Sequence, residues 1–442
     1  MNVTSRVARI ALVALLSLFC IAITPVHGQD AAAGAAGAQK YTMAEYNAYQ
    51  AAAAEKNPAA QIKLLDDFVS KYPTSALLNY IYPLYYKNYG GQKNFPKTIE
   101  YCDKLVALGD KATANEKYEA YSVRAYAYNN IPNPDAATAT AARAAALAGV
   151  KIVSLVTKPE GADEAQFKKQ QDQSIIFFNG TAANAAMAAK DYPGAVESYK
   201  TVLATTPDDL TSNYSLGKAY MAMNPPQQID ALWYFARAAS SKIANEQQSK
   251  QVKAYLRKLL ANYQGGTVCD ALTDAELNEL LQLASSSPDR PASYKLYSSA
   301  DLTAAQKDMT IASVVTDLKA GGDKAKLTWT ASCGLEFPDV PGKIIEVTPG
   351  DAVVLKVAFV TSDAEFDAAT VPNMEVKIAG QPEAGKMEKD NPVRFTGTLQ
   401  SYDPDPAFML HWDKAKVNEE DLPKSKEAPK KPAAKKPAAK KP

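Results

Sequence analysis

The chain has 442 residues, and its 49 Lys and Arg against 48 Asp and Glu leave a formal net charge of +1. That balance excludes a protein drawn as a whole onto nucleic acid or an anionic surface, and a hydrophobic content of 47% excludes a wholly disordered chain. With only His27 and His411 present, zinc centres built on several imidazoles and His-based nucleophile triads lack their material.

Arg6 and Arg9 precede an apolar run from Ile10 to Ile23, and Val26-His27-Gly28 offers small residues before a cut ahead of Gln29. This is the layout of a secretory signal peptide over residues 1–28, with export to a periplasm or beyond as the expectation. The run is short for a membrane span, no other stretch reads as long and apolar enough to cross a bilayer, and Ser17 and Phe19 before Cys20 do not make a lipoprotein box. After cleavage the chain carries −1, of which +7 lies in residues 424–442, so the body is acidic at −8 and the tail is basic.

Residues 29–42 are an Ala/Gly-rich leader. Five helical hairpins follow, read as 51–56 with 59–71, 77–89 with 96–108, 114–129 with 135–156, 165–189 with 193–204, and 210–223 with 229–240. Gly90-Gly91 is taken as the turn of the second hairpin and Pro225-Pro226 as that of the fifth. A helix over 246–263, with Lys250, Lys253, Arg257 and Lys258 on its outer side, reads as the polar cap that a stack of repeats needs at an open end.

The fourth and fifth hairpins share a pattern. Tyr192-Pro193-Gly194-Ala195-Val196-Glu197, Tyr199 and Pro207 are followed by Leu216-Gly217, Tyr220, Ala231, Phe235 and Ala238. Small residues at close helix crossings, an aromatic between them and a terminating proline make a helix-turn-helix unit of about 34 residues. Phe95-Pro96-Lys97-Thr98-Ile99-Glu100 overlays on the first of these units and sets Cys102 on the packing position of Tyr199, where a buried free thiol is expected. The pattern resembles the tetratricopeptide repeat, and it implies an α-helical solenoid over 43–265 that binds other proteins. In that resemblance the first helix of each pair faces the groove, which maps to Asn184 and Met187 in the fourth hairpin and to Tyr214, Lys218 and Met221 in the fifth.

Residues 266–335 read as a partly helical connector, with helices over 274–283 and 309–320 and an irregular stretch over 286–299. The periodicity then changes to short alternating segments at 343–347, 352–359, 374–378, 393–402 and 408–417, split by Pro349-Gly350, Gly380, Asn391-Pro392 and Asp403-Pro404. With Gly342 opening the first strand and Gly397 within the fourth, residues 336–423 resemble the five-stranded oligonucleotide/oligosaccharide-binding barrel. The whole order is similar to exported bacterial repeat proteins, of the acidobacterial type, that end in a transfer-RNA-anticodon-binding-like domain. The fold class is therefore mainly α: a solenoid, a small β-barrel and a disordered Lys/Pro/Ala-rich tail over 424–442.

Alternation turns Lys356, Lys377 and Arg394 to the outside of the barrel, the surface that would hold an oligonucleotide or anionic glycan. Few aromatics accompany them, and base stacking on aromatic side chains is what single-stranded nucleic acid needs, so nucleic acid ranks low among partners. The tail would add weak polyanion contact. Cys269 and Cys333 both lie in the connector; an oxidising compartment permits a bridge, while spacing alone does not fix their approach. No phosphate-binding Gly-rich loop follows a strand, so the expected function is that of a non-enzymatic scaffold or adaptor of the cell envelope, without cofactor or metal, binding a protein or peptide in the solenoid groove.

Overall fold

Capping side chains set where the helices begin. Thr42 and Glu45 close a capping box on α1 (Met43–Ala54), and Asn57 accepts from the amides of Ala59 and Ala60 at the start of α2 (Pro58–Lys71). The computed structural model describes residues 41–350 and 352–423; the segments read as signal peptide (1–28) and tail (424–442), and nearly all of the one read as leader (29–42), lie outside them. Helices α3 (Leu78–Gly91), α4 (Phe95–Val106), α5 (Ala114–Asn129), α6 (Ala136–Val153), α7 (Glu164–Ala188), α8 (Tyr192–Thr205), α9 (Leu210–Ala222) and α10 (Gln228–Ala239) follow, each packed on its predecessor as in a solenoid.

The repeat is visible in the backbone of its turns. Lys93 and Lys190 both adopt left-handed φ values, 59° and 61°, and the next residues, Asn94 and Asp191, each return an amide hydrogen bond five residues back, to Tyr89 and Ala186. Asn94 and Asp191 then cap α4 and α8, whose first turns contain Pro96 and Pro193. The turn of the second hairpin thus falls at Lys93, and Gly90 and Gly91 remain helical. A Cβ on Gly217 would stand 3.1 Å from the Ala231 carbonyl and from two ring carbons of Phe235, which is the close approach read from the small residues of α9 and α10.

Two expectations need correction. By length and composition α6 does pass for a membrane span, at a mean hydropathy of 1.3 over 18 residues. Its alanines raise the score without bulk, and it packs between α5 and α7 through Ala139, Ala142, Ala146, Gly149 and Val153. The helix α11 (Glu246–Tyr263) is also no simple end cap. Leu256 and Leu260 are fully buried, and Arg257 forks onto Asp270 and Asp274 of α12 (Asp270–Ser286). The last repeat helix, buried continuously from Ala231 to Ala238, is covered in part by the segment after α12. Arg237 donates to the carbonyls of Ala284, Ser287 and Pro207 and to Asn213, Trp233 to Pro288, and Arg290 pairs with Asp230.

The described residues divide into two compact units: one runs to Lys253 and includes Leu283–Arg290, and the other comprises Ala254–Gln282 and the described residues from Pro291. In the second unit, α13 (Ser299–Lys307) and α15 (Gly322–Ser332) are helices that the sequence reading left unassigned, flanking α14 (Ile311–Ala320). Val314, Val315, Leu318 and Ala325 join the barrel core, so most of the connector is part of the barrel unit.

The barrel strands are β1 (Glu336–Thr348), β2 (Val353–Phe359), β3 (Met374–Ile378), β4 (Pro392–Asp403) and β5 (Met409–Val417), and they close in the order β1-β2-β3-β5-β4, with β3 parallel to β5 and every other pair antiparallel. A six-residue helix, α16 (Asp363–Ala368), links β2 to β3. β1 starts seven residues before the expected strand. Pro338 and Asp339 there look like strand breakers, but they occupy a register shift between Phe337 and Val340. The first half of β1 pairs with β4 and the second with β2, and Gly342 sits where the two meet. A Cβ at that point would overlap Val357 Cγ1, at 2.2 Å. Val340, Leu355, Val376, Phe395, Leu399 and Trp412 fill the interior.

Candidate functional site

The first helices of successive hairpins are tied side by side. Asn79 of α3 donates to Glu116 of α5 (2.9 Å) and Lys87 pairs with Glu119 (3.0 Å); Tyr118 of α5 meets Ser174 of α7 (2.7 Å), and Asn129 donates to Thr181 (2.9 Å). These bonds set α3, α5 and α7 in a row; of the residues assigned to a groove, Asn184 and Met187 lie on α7, and Tyr214, Lys218 and Met221 on α9.

They are not equally available. The Asn184 side-chain carbonyl accepts the Tyr199 hydroxyl at 2.8 Å while the residue stays exposed, and the half-buried Tyr214 ring stands edge-on to Phe235 at 5.2 Å, so both take part in holding their hairpins together. Met187 and Met221 are half-buried, and Lys218, one turn beyond Tyr214, is exposed.

Tyrosines of the first hairpins sort sharply. Tyr85, Tyr86 and Tyr128 are buried, and Tyr85 stacks on Tyr101 with centroids 3.9 Å apart. Burial pushes the hydroxyls of Tyr85 and Tyr86 far above the ordinary phenol range. Tyr41, Tyr46, Tyr49 and Tyr80 instead run as a chain of rings spaced 6.0, 6.4 and 5.9 Å, with Tyr80 48% exposed. No groove position was assigned to this stripe from sequence, because the first hairpin lacks the repeat signature. The spacing of Tyr46 and Tyr49 on one helix was the available signal.

On the barrel, the register places one row of charge across the strands: Glu346 beside Lys356, Lys356 beside Glu375, and Glu375 beside His411. Lys356 binds Glu346 at 2.9 Å, and this bond raises its affinity for the proton. His411 stands between Asp403 (2.9 Å) and Glu375 (3.4 Å). Arg394 is clasped by Asp421 and Glu420, which push its guanidinium pKa upward in that order. Two of the three cations assigned to a polyanion surface are thus engaged by carboxylates, while Lys377 is exposed. Alternating signs on neighbouring strands stabilise the sheet and cancel the field that would attract a polyanion.

The sulfurs of Cys269 and Cys333 are bonded, with their Cα atoms 5.6 Å apart, and Cys102 is a buried free thiol raised well above its ordinary range by burial. Among the described residues, no three His, Cys, Asp or Glu side chains gather as a metal site.

No family model and no curated protein matches the chain. Among solved structures it is similar to the apo form of RapI, with 13% identity over 55% of this chain and 96% of that one and a TM-score of 0.28. A likeness of that size bears on neither ligand nor partner.

Proposed function

We propose that the protein is a non-enzymatic scaffold or adaptor of the bacterial cell envelope that binds a protein or peptide on the face formed by the first helices of its repeats. The observation that carries this reading is the contrast between the two surfaces. The repeat face offers exposed and half-exposed Tyr, Met and Lys, with Tyr46, Tyr49 and Tyr80 at one end and Met187, Lys218 and Met221 at the other. Tyrosine provides contact area and a hydrogen bond at low entropic cost, which suits a protein partner. The barrel cations are largely engaged by their own carboxylates, which weighs against the oligonucleotide or glycan reading. Export is supported by the N-terminal pattern of Arg6, Arg9 and the apolar run, and by the Cys269–Cys333 bond, which persists in oxidising compartments.

The test is capture from the native envelope with the full chain, followed by mass spectrometry, at low and raised salt. Binding through Tyr and Met should persist as salt rises, whereas polyanion binding falls steeply. Tyr49→Ala with Tyr80→Ala, and separately Met187→Ala with Lys218→Ala, should reduce recovery of the captured protein. Undiminished recovery with all four substitutions combined refutes the assignment.

A further inference from the structure

Gln264 follows the last turn of α11, and Glu276 lies in the second turn of α12; the two side chains are 0% and 3% exposed. Gln264 Nε2 donates to Glu276 Oε2 at 2.6 Å. The other oxygen of each side chain, Gln264 Oε1 and Glu276 Oε1, is buried without a hydrogen-bond partner. If Glu276 is ionised, the pair presents two bare acceptors and a buried negative charge, an arrangement that costs several kcal/mol in a protein interior. A proton on Glu276 turns one of those acceptors into a donor. Carboxylic acid and carboxamide can then close a ring in which each group both donates and accepts, and no charge is buried.

We propose that Glu276 and Gln264 form a carboxylic acid–carboxamide latch that ties the end of α11 to α12 and loosens when Glu276 releases its proton to solvent. The groups facing Glu276 are Lys326 of α15, which favours the anion, Glu279 of α12, which opposes it, and Tyr297 on the segment before α13. Lys326 is paired with Glu279 at 3.5 Å, whose negative charge offsets the pull of the ammonium on Glu276. Burial is the largest influence and holds the Glu276 carboxyl above its ordinary range, outweighing Gln264 and Lys326. The sign follows from proton linkage. Between the unfolded and the folded pKa the native state holds the extra proton, so the latch is at full strength below the ordinary carboxylate range and is lost as pH rises through the raised value.

The latch sits beside other ties within the same unit: the Cys269–Cys333 bond, the Arg257 fork onto Asp270 and Asp274, and the Lys326–Glu279 pair. Those ties are made by exposed or partly exposed groups and by a covalent bond, whereas Glu276 is the buried carboxyl of the hairpin.

Hydrogen exchange of the full chain tests this, comparing amides of residues 254–282 at about pH 5 and about pH 8 after correction for intrinsic rates. In the wild type, protection of the hairpin should fall at the higher pH, by about tenfold for each unit by which the folded carboxyl titrates above its unfolded value. In Glu276→Gln, which keeps the shape and cannot ionise, protection should be equal at both values. The infrared difference between the two proteins at neutral pH should contain the carbonyl stretch of an un-ionised carboxylic acid. Gln264→Met, which removes the amide, should lower hairpin protection at both pH values. An equal pH response in wild type and Glu276→Gln, a missing acid band, or full protection in Gln264→Met would each overturn the latch.

Discussion

Adding one methyl group at Gly149 tests how tightly the third and fourth hairpins are packed. Gly149 lies inside α6, where alanine is the better helix former by about 1 kcal/mol, so local propensity predicts that Gly149→Ala stabilises the protein. Tertiary packing predicts the reverse. A Cβ built there falls 2.6, 2.7 and 2.8 Å from three ring carbons of Phe178, closer than real carbon contacts allow. Phe178 is fully buried; Tyr118 stands edge-on to its ring at 6.2 Å and Phe177 lies at 5.6 Å, so it has no free side to retreat to. Overpacking of this kind costs about 1–3 kcal/mol, and subtracting the propensity gain leaves a net loss of up to about 2 kcal/mol. Urea denaturation followed by far-ultraviolet circular dichroism, which the helical unit dominates, reads the change. A double-mutant cycle with Phe178→Leu isolates its cause: with the ring removed, Gly149→Ala should become neutral or stabilising. Greater stability of the single Gly149→Ala variant, or an effect of that substitution unchanged by Phe178→Leu, would refute the reasoning.

Gly217→Leu should cost about 1–3 kcal/mol through collision with the Ala231 carbonyl and Phe235, and an unchanged melting midpoint would show that α9 and α10 are not in this register. Lys190→Gly should stabilise the repeat unit by about 0.5–1 kcal/mol, since the left-handed φ of 61° is one that glycine adopts without a Cβ penalty; a loss of stability counts against the turn. Arg237→Leu should cost about 3 kcal/mol by stripping a charged donor from the carbonyls of Pro207, Ala284 and Ser287, and limited proteolysis should then cut within 283–290, where undiminished resistance refutes the role. Replacing Cys269 and Cys333 together by serine opens a loop with a sequence separation of 64 and should destabilise the barrel unit by up to about 4 kcal/mol, leaving the repeat unit's helical signal unchanged. Equal melting of the barrel unit with and without the bond would contradict this.

Local chemistry settled much of this protein in the sequence itself. Asn57-Pro58, Asp191-Tyr192-Pro193 and the overlay of Phe95-Pro96 on Tyr192-Pro193 mark helix starts, because a side-chain oxygen must satisfy the first amides and proline needs none there. Alternation in 353–357 and 374–378 likewise marked β2, β3 and residues that fill the barrel, while at the end of β2 Ala358 is buried and Phe359, read as facing in, is only partly so. Where long-range contacts compete with local ones, the sequence misled or said nothing. Gly90-Gly91 reads as a turn, yet the amide bond from Asn94 back to Tyr89 keeps it helical; Pro338-Asp339 reads as a break, yet β4 accommodates it as a shift in register. Lys356 and Arg394 point outward as alternation requires, but their carboxylate partners come from other strands and from the segment after β5, so only the folded chain shows that they are engaged. Arg237 looks like an ordinary helix-surface cation until residues 284–288 fold over it, and Gln264 and Glu276, twelve positions apart, become a buried pair only when α11 and α12 close. Capping and periodicity depend on neighbours a few bonds away and are written into short segments. The pairing of charges and the burial of polar groups depend on which distant segments meet, and the tertiary structure alone decides that.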